Sequence, residues 1–263
     1  MSAAFDQLVQ VMYRLRRPGG CAWDRKQTHE SLKPYLIEEA YEVLDAIDTE
    51  EKGHLCEELG DLLFQVLFHS DIADEADTFN IETVLTTCLN KMKRRHPHVF
   101  EATGANDGKT PFSAEAVITQ WEEIKRQERR DKGDKTSILD GVPKTLPALL
   151  AAHQVQSKAG HVGFDWKTPE AAFPKIDEEI QEVREAMAAG NPKALEAEFG
   201  DLLFSIVNVA RLLKINPEEA LRKTVTRFTE RFKKMELAAG DGGISTLSLD
   251  EMNLLWEEAK RHV

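Results

Sequence analysis

Glu178-Glu179-x-x-Glu182 is followed, beyond Asn191-Pro192, by Glu198-x-x-Asp201, which runs straight into an apolar stretch. Residues three apart on an α-helix lie about 60° apart around its axis and share a face. Glu179 with Glu182, and Glu198 with Asp201, would thus form two acidic pairs on consecutive helices. Such helices pack antiparallel when the turn between them is short, so the pairs can face each other. Four carboxylates beside an apolar core repel unless something neutralises them. A divalent cation does so compactly, and all-oxygen ligation favours Mg2+ or Mn2+ over zinc or copper. Mg2+ keeps several waters, shares its sphere with substrate phosphates, and activates a water for attack on phosphorus. The bland alternative is a solvated helix face with salt-bridge partners, the usual meaning of a lone Glu-x-x-Glu. Di-iron chemistry would need Glu-x-x-His on two helices. The chain spells Glu51-x-x-His54 once, with Gly53 suggesting a loop, so that chemistry is disfavoured.

Basic and aromatic residues accompany the acids. Lys175 stands one turn before Glu179; Arg227 and Arg231 are four apart, as are Trp256 and Lys260. Arg and Lys suit phosphate oxygens, and a Trp face suits a nucleobase. Singly, each has a plainer reading: Trp256 as core, the cations as ion-pair partners. Together with the acids they suggest a metal–polyphosphate site.

The elements that must position these residues are written twice. Glu38, Glu39, Glu42, Glu58 and Asp61 recur 140 positions later as Glu178, Glu179, Glu182, Glu198 and Asp201. "GDLLF" follows both acidic helix starts, and "WEEIKR" at 121–126 is echoed by "WEEAKR" at 256–261. A repeat of this length is a structural unit. Each copy reads as four or five helices, with no credible strand pairing. In the second copy a helix spans 146–157, and another spans 170–189 and stops at Gly190. Asn191-Pro192 and Asn216-Pro217 each supply an Asn cap with Pro at the first helical position. Ser248-x-x-Glu251 is a capping box that starts the last helix. In "ELGDLLF", residues 58–64, Leu62, Leu63 and Phe64 should anchor the helix in a core, and Gly60 should allow close helix approach.

The predicted fold is all-α, with two tandem helical bundles that each contribute an acidic helix pair: residues 1–130 and 143–263, joined by a charged linker at 131–142. The linker's charges alternate in sign, so it reads as solvated rather than as a phosphate patch. Composition narrows the function further. The 263 residues carry a formal net charge of −12, which disfavours nucleic-acid binding. Three scattered cysteines suit a reduced, cytoplasmic setting. No secretory signal and no stretch near the roughly 18 apolar residues of a membrane span is present.

Glu-Glu-x-x-Glu followed by Glu-x-x-Asp, with "CAWD", "ELGDLLFQV", "RRHPHVF", "VGFDW" and "WEEAKR", resembles the all-α nucleoside triphosphate pyrophosphohydrolases, and in tandem form the MazG family. The resemblance covers nearly the whole chain. It implies Mg2+-dependent hydrolysis of nucleoside triphosphates to monophosphate and pyrophosphate, broad base tolerance, a house-cleaning role in nucleotide pools, and a homodimer. It assigns Glu179, Glu182, Glu198 and Asp201 as metal ligands; it leaves the general base unassigned, with Glu178 or a metal ligand able to serve. Lys175, Arg227, Arg231 and Lys260 become phosphate contacts and Trp256 a base contact. Many family members carry Lys where this chain has Arg227. The first copy keeps Glu39, Glu42, Glu58 and Asp61 as ligands, with Lys91, Arg95, Trp121 and Lys125 at the nucleotide. Tyr35 replaces the equivalent of Lys175, so the C-terminal copy is expected to be the main catalyst. His96-Pro-His98 reads as a loop ending a helix, or else as a metal pair. A metal-dependent nucleotide sensor or scaffold with little turnover is the alternative.

Overall fold

The computed structural model describes residues 3–49, 52–100, 113–131, 137–240 and 243–261. These residues form helices and no strand, in two compact units, Met1–Asp131 and Lys132–Val263. The fold is all-α and tandem. Of the expected linker, residues 132–136 lie outside the described residues.

The N-terminal unit contains α1 (Ala3–Arg16), α2 (Lys33–Asp48), α3 (Lys52–Glu75), α4 (Ile81–Arg95), the single turn α5 (Pro97–Phe100) and α6 (Ala114–Asp131). Helix α3 is central, contacting α1, α2 and α4. Its core joins Met12, Leu32, Leu67 and Phe68, with Phe5, Leu8 and Val9 of α1 and Phe64 of α3 packed on the edge. The apolar positions of α1 recur at helical spacing, so one face is buried by this contact.

The C-terminal unit contains α7 (Ala148–Gly160), α8 (Pro169–Ala188), α9 (Pro192–Leu212), α10 (Pro217–Ala238) and α11 (Leu249–Lys260). Helix α9 packs on α7 and α8, and α10 packs on α11. Its helix starts follow the capping signals. Asn191 accepts from Ala194 N at 3.3 Å and Asn216 from Glu219 N at 3.2 Å. Ser248 and Glu251 form both halves of the capping box. Between α8 and α9 the chain reverses through Gly190, whose φ of +63° only glycine adopts freely. That tight reversal brings the acids of the two helices together.

Three local expectations need correction. His54 and Gly53 lie inside α3, not in a loop. His54 Nε2 pairs with Glu58 at 2.9 Å, a contact between successive turns. A Cβ on Gly60 would meet nothing within 4 Å, so Gly60 serves no close helix approach. Of the three expected anchors, Leu63 is 37% exposed; the fully buried core residues of α3, Leu67 and Phe68, begin one turn further along the helix. The polar run Gln127-Glu128-Arg129-Arg130-Asp131, which lacks an apolar face, still extends α6. Gln, Glu and Arg are good helix formers, and Glu128 ties α6 to Arg94 and Arg95 of α4, each at 2.7 Å.

Candidate active site

In the C-terminal unit α8 carries Lys175, Glu178, Glu179 and Glu182, and α9 carries Glu198 and Asp201. One carboxylate oxygen from each of Glu179, Glu182 and Glu198 lies within 4.8 Å of the others. Asp201 stands outside this triad but lines the same cavity as Lys175, Glu179 and Glu182. Glu179 is only 3% exposed. Its Oε1 accepts from Lys175 Nζ at 2.8 Å, while its Oε2 is buried with no partner. Lys175 also reaches Glu178 at 2.9 Å. These two hydrogen bonds raise the lysine's pKa. Desolvation, and then the neighbouring Glu179 and Glu198, raise that of Glu182. A crowded carboxylate triad with an orphaned buried oxygen is a donor set that a hard divalent cation satisfies.

Beside the triad is a cavity of about 600 Å³. Val155 and Ala159 of α7, Phe204 of α9 and Trp166 of the connecting loop supply apolar wall. Gln156, Ser205, Asn208 and Arg211 add polar groups. A mostly apolar pocket of this size with a few polar groups suits a small molecule. Arg211 fixes the loop: its Nη1 donates to Asp165 Oδ2 at 2.9 Å, while Nε and Nη2 donate to Asn208 Oδ1 at 3.0 and 2.7 Å. A Cβ on Gly160 would lie 2.8 Å from Asp165 Oδ2, so glycine permits this approach.

Arg231, Trp256 and Lys260 form a different group on α10 and α11. Both cations lie 5.9 Å from the Trp256 ring, and Phe228 packs on that ring at 5.1 Å. Arg231 Nε is buried and unpartnered, Lys260 pairs with Glu257 at 2.6 Å, and Arg227 donates to Thr224 at 2.8 Å. None of these four lines the cavity.

The N-terminal triad is Glu39, Glu58 and Asp61; Glu42 stands outside it. Here Glu58 is the buried acid, held by His54, whereas Gln65 Nε2 donates to Glu39 at 3.3 Å. Desolvation chiefly raises the Glu39 pKa. Tyr35 is edge-on to Trp23 at 5.6 Å, and Trp23 is edge-on to Phe68 at 6.4 Å. Lys91 and Arg95 are one turn apart on α4, and Arg95 is held by Glu128. Trp121 packs on His96 at 4.9 Å, with Lys125 one turn further along α6. His96 turns to the Met92 carbonyl and His98 to Gln120, so their rings answer to separate partners.

Residue spacing alone missed Gln156, Asn208 and Arg211. A signal existed: Ser205, Asn208 and Arg211 interrupt the apolar run of α9 at intervals of three, continuing the face of Asp201.

Residues 27–100 and 167–235 match the MazG nucleotide pyrophosphohydrolase domain. The chain belongs to the MazG family. Each match spans one of the two acidic helix pairs. A Thermotoga maritima protein named nucleoside triphosphate pyrophosphohydrolase/pyrophosphatase MazG is 50% identical over 258 residues, covering 97% of this chain and 95% of its own. An Escherichia coli nucleoside triphosphate pyrophosphohydrolase is 42% identical over 261 residues, covering 97% of each. A solved mazG-related protein from Thermotoga maritima aligns with 46% of this chain and 98% of its own, at 26% identity and a TM-score of 0.39.

Proposed function

We propose that the C-terminal unit hydrolyses nucleoside and deoxynucleoside triphosphates to monophosphate and pyrophosphate in the presence of Mg2+, with Mn2+ as substitute. The observation that carries this reading is the convergence of Glu179, Glu182 and Glu198 beside a ligand-sized cavity. Close relatives named as nucleoside triphosphate pyrophosphohydrolases support the reaction class. The protein is an enzyme in this reading. It acts on the nucleotide pool with broad base tolerance, in the cytoplasm, and has no nucleic-acid partner.

Glu179, Glu182, Glu198 and Asp201 would hold the cation, with Glu179 Oε2 as the ready donor. When bound, the cation supplies charge neutralisation at phosphate and activation of a water. Lys175 balances Glu179 and presents its ammonium to a phosphate oxygen. In the reaction a water oxygen bonds to phosphorus and the α–β bridging bond breaks. The water proton leaves to Glu178 or to a carboxylate of the cluster. Phe164 and Trp166 wall the cavity. Arg227, Arg231 and Lys260 are proposed phosphate contacts and Trp256 a base contact, approached from the α10–α11 side.

The N-terminal unit is proposed as a weaker or regulatory site, with Glu39, Glu42, Glu58 and Asp61 at the metal and Lys91, Arg95, Trp121 and Lys125 at the nucleotide. Its Tyr35, packed on Trp23, supports this division of labour. A homodimer is supported by matching exposed stripes: Leu59, Leu63 and Val66 on α3, and Phe199, Leu203 and Ile206 on α9.

The test incubates the full chain with each triphosphate, with and without Mg2+ or Mn2+, and separates the products. Monophosphate and pyrophosphate in equal amounts, dependent on the cation, are expected. Diphosphate and orthophosphate would refute the cleavage position. Nucleotide binding without turnover would favour the sensor alternative.

A further inference from the structure

Two buried amides in the wall of the C-terminal cavity have fixed orientations. Arg211 offers only donors, and two of its nitrogens reach Asn208 Oδ1. The amide oxygen of Asn208 is therefore committed, and its Nδ2 is a donor with no hydrogen-bond partner among the described residues. Gln156 is fixed in the opposite sense. Its Nε2 donates to the Phe204 carbonyl at 2.7 Å, and its Oε1 is buried with no partner. Asn208 is 5% exposed and Gln156 7%, and both line the cavity. The Phe204 carbonyl is the one that the backbone N–H of residue 208 meets in helix α9. The two amides are therefore neighbours, one presenting a donor and the other an acceptor.

That pair complements the Watson–Crick edge of a nucleobase. Adenine offers N6–H beside N1, cytosine N4–H beside N3, guanine N1–H beside O6, and uracil N3–H beside O4. Each is one donor next to one acceptor, so every base satisfies both amides in some orientation. Phe164 and Trp166, 81% and 41% exposed, offer ring faces for stacking at the same cavity. Resting on the reading that this cavity takes the nucleotide, we propose that Asn208 and Gln156, in place of Trp256, which does not line it, form a base-reading edge that accepts any nucleobase, with Arg211 and Asp165 as positioning residues.

The N-terminal copy supplies an internal contrast. The positions 140 residues earlier are Phe68 and Arg16. Arg16 is engaged by Asp71 at 3.1 Å and Glu75 at 2.6 Å, and its guanidinium lies 5.3 Å from the Phe68 ring centroid. No amide edge exists at those two positions, so base reading belongs to the C-terminal copy.

The test measures binding of AMP, purine riboside 5′-monophosphate and ribose 5-phosphate to the full chain by calorimetry. These ligands need no turnover. Purine riboside lacks the 6-amino donor that Gln156 Oε1 would accept. Wild type should bind AMP about tenfold more tightly than purine riboside monophosphate, the scale of one hydrogen bond. Gln156→Met should erase that difference while leaving ribose 5-phosphate affinity unchanged. Asn208→Leu should weaken both nucleotides and spare ribose 5-phosphate. Unchanged AMP selectivity in Gln156→Met, or equal losses for all three ligands in both variants, would overturn the proposal. So would failure of wild type to bind AMP more tightly than ribose 5-phosphate. Selective AMP binding with no triphosphate turnover would instead sink the catalytic reading and leave the base edge standing.

Discussion

Replacing Lys175 with methionine removes the cation paired with the buried Glu179 carboxylate while keeping most of the side-chain volume. Glu179 is 3% exposed, and the Lys175 contact is 2.8 Å. Breaking a fully buried ion pair costs about 3–5 kcal/mol. The lysine side chain is 37% exposed, and solvent screening reduces the loss to about 2 kcal/mol. A divalent cation should then restore more stability to Lys175→Met than to wild type, because it no longer competes with an ammonium for Glu179. At 100 times the dissociation constant the gain is about 2.7 kcal/mol. Glu179→Gln should behave inversely, with little loss in EDTA and little gain from Mg2+. Urea denaturation in EDTA and in Mg2+ gives the magnitudes. Hydrogen exchange in peptides from α8 and α9, with α2 and α3 as control, assigns them to the C-terminal unit. Unaltered stability of Lys175→Met in EDTA, or equal Mg2+ gains in all three proteins, would refute the reasoning.

Other consequences are independent of this cluster. Hydrogen bonds from Arg95 and Arg94 hold the Glu128 carboxyl down to about 2. A depressed carboxyl contributes stability that is full above its unfolded pKa of about 4.5 and lost as pH falls toward 2. Glu128→Gln should cost about 2–3 kcal/mol at pH 7 and flatten the acid limb of a stability–pH curve measured by urea denaturation. Ser248→Ala removes the capping box of α11 and should cost about 1 kcal/mol, read as increased exchange of amides in that helix. Gly160→Ala pushes a methyl against Asp165. It should loosen the Asp165–Arg211 bridge and raise KM for triphosphates several-fold with a smaller change in kcat, as seen in steady-state kinetics.

Helix starts were readable in the chain because capping is local: Asn191, Asn216 and Ser248 act on amides three residues away. The acidic pairs were readable because helical spacing and a short turn suffice to bring α8 and α9 together. Features set by distant contacts were hidden. The sequence repeats all four candidate ligands, yet Asp201 stands outside the second triad and Glu42 outside the first. The counter-groups also changed helix, from His54 on α3 in one copy to Lys175 on α8 in the other. Asn208 reads as a polar blemish in an apolar run until Arg211 and Asp165 are seen to orient it. Gly60, which looks like a packing glycine, faces open space. The grouping of Arg231, Lys260 and Trp256 away from the cavity depends on how α10 meets α11, which local spacing does not encode.

The central claim is that the acids of α8 and α9 perform the pyrophosphohydrolysis. The most direct measurement compares Glu42→Gln with Glu182→Gln in the full chain, quantifying monophosphate and pyrophosphate from ATP with Mg2+. Glu182→Gln should lose at least a hundredfold in rate, and Glu42→Gln should keep most of it. Full activity in Glu182→Gln together with its loss in Glu42→Gln would contradict the assignment and move catalysis to the N-terminal unit.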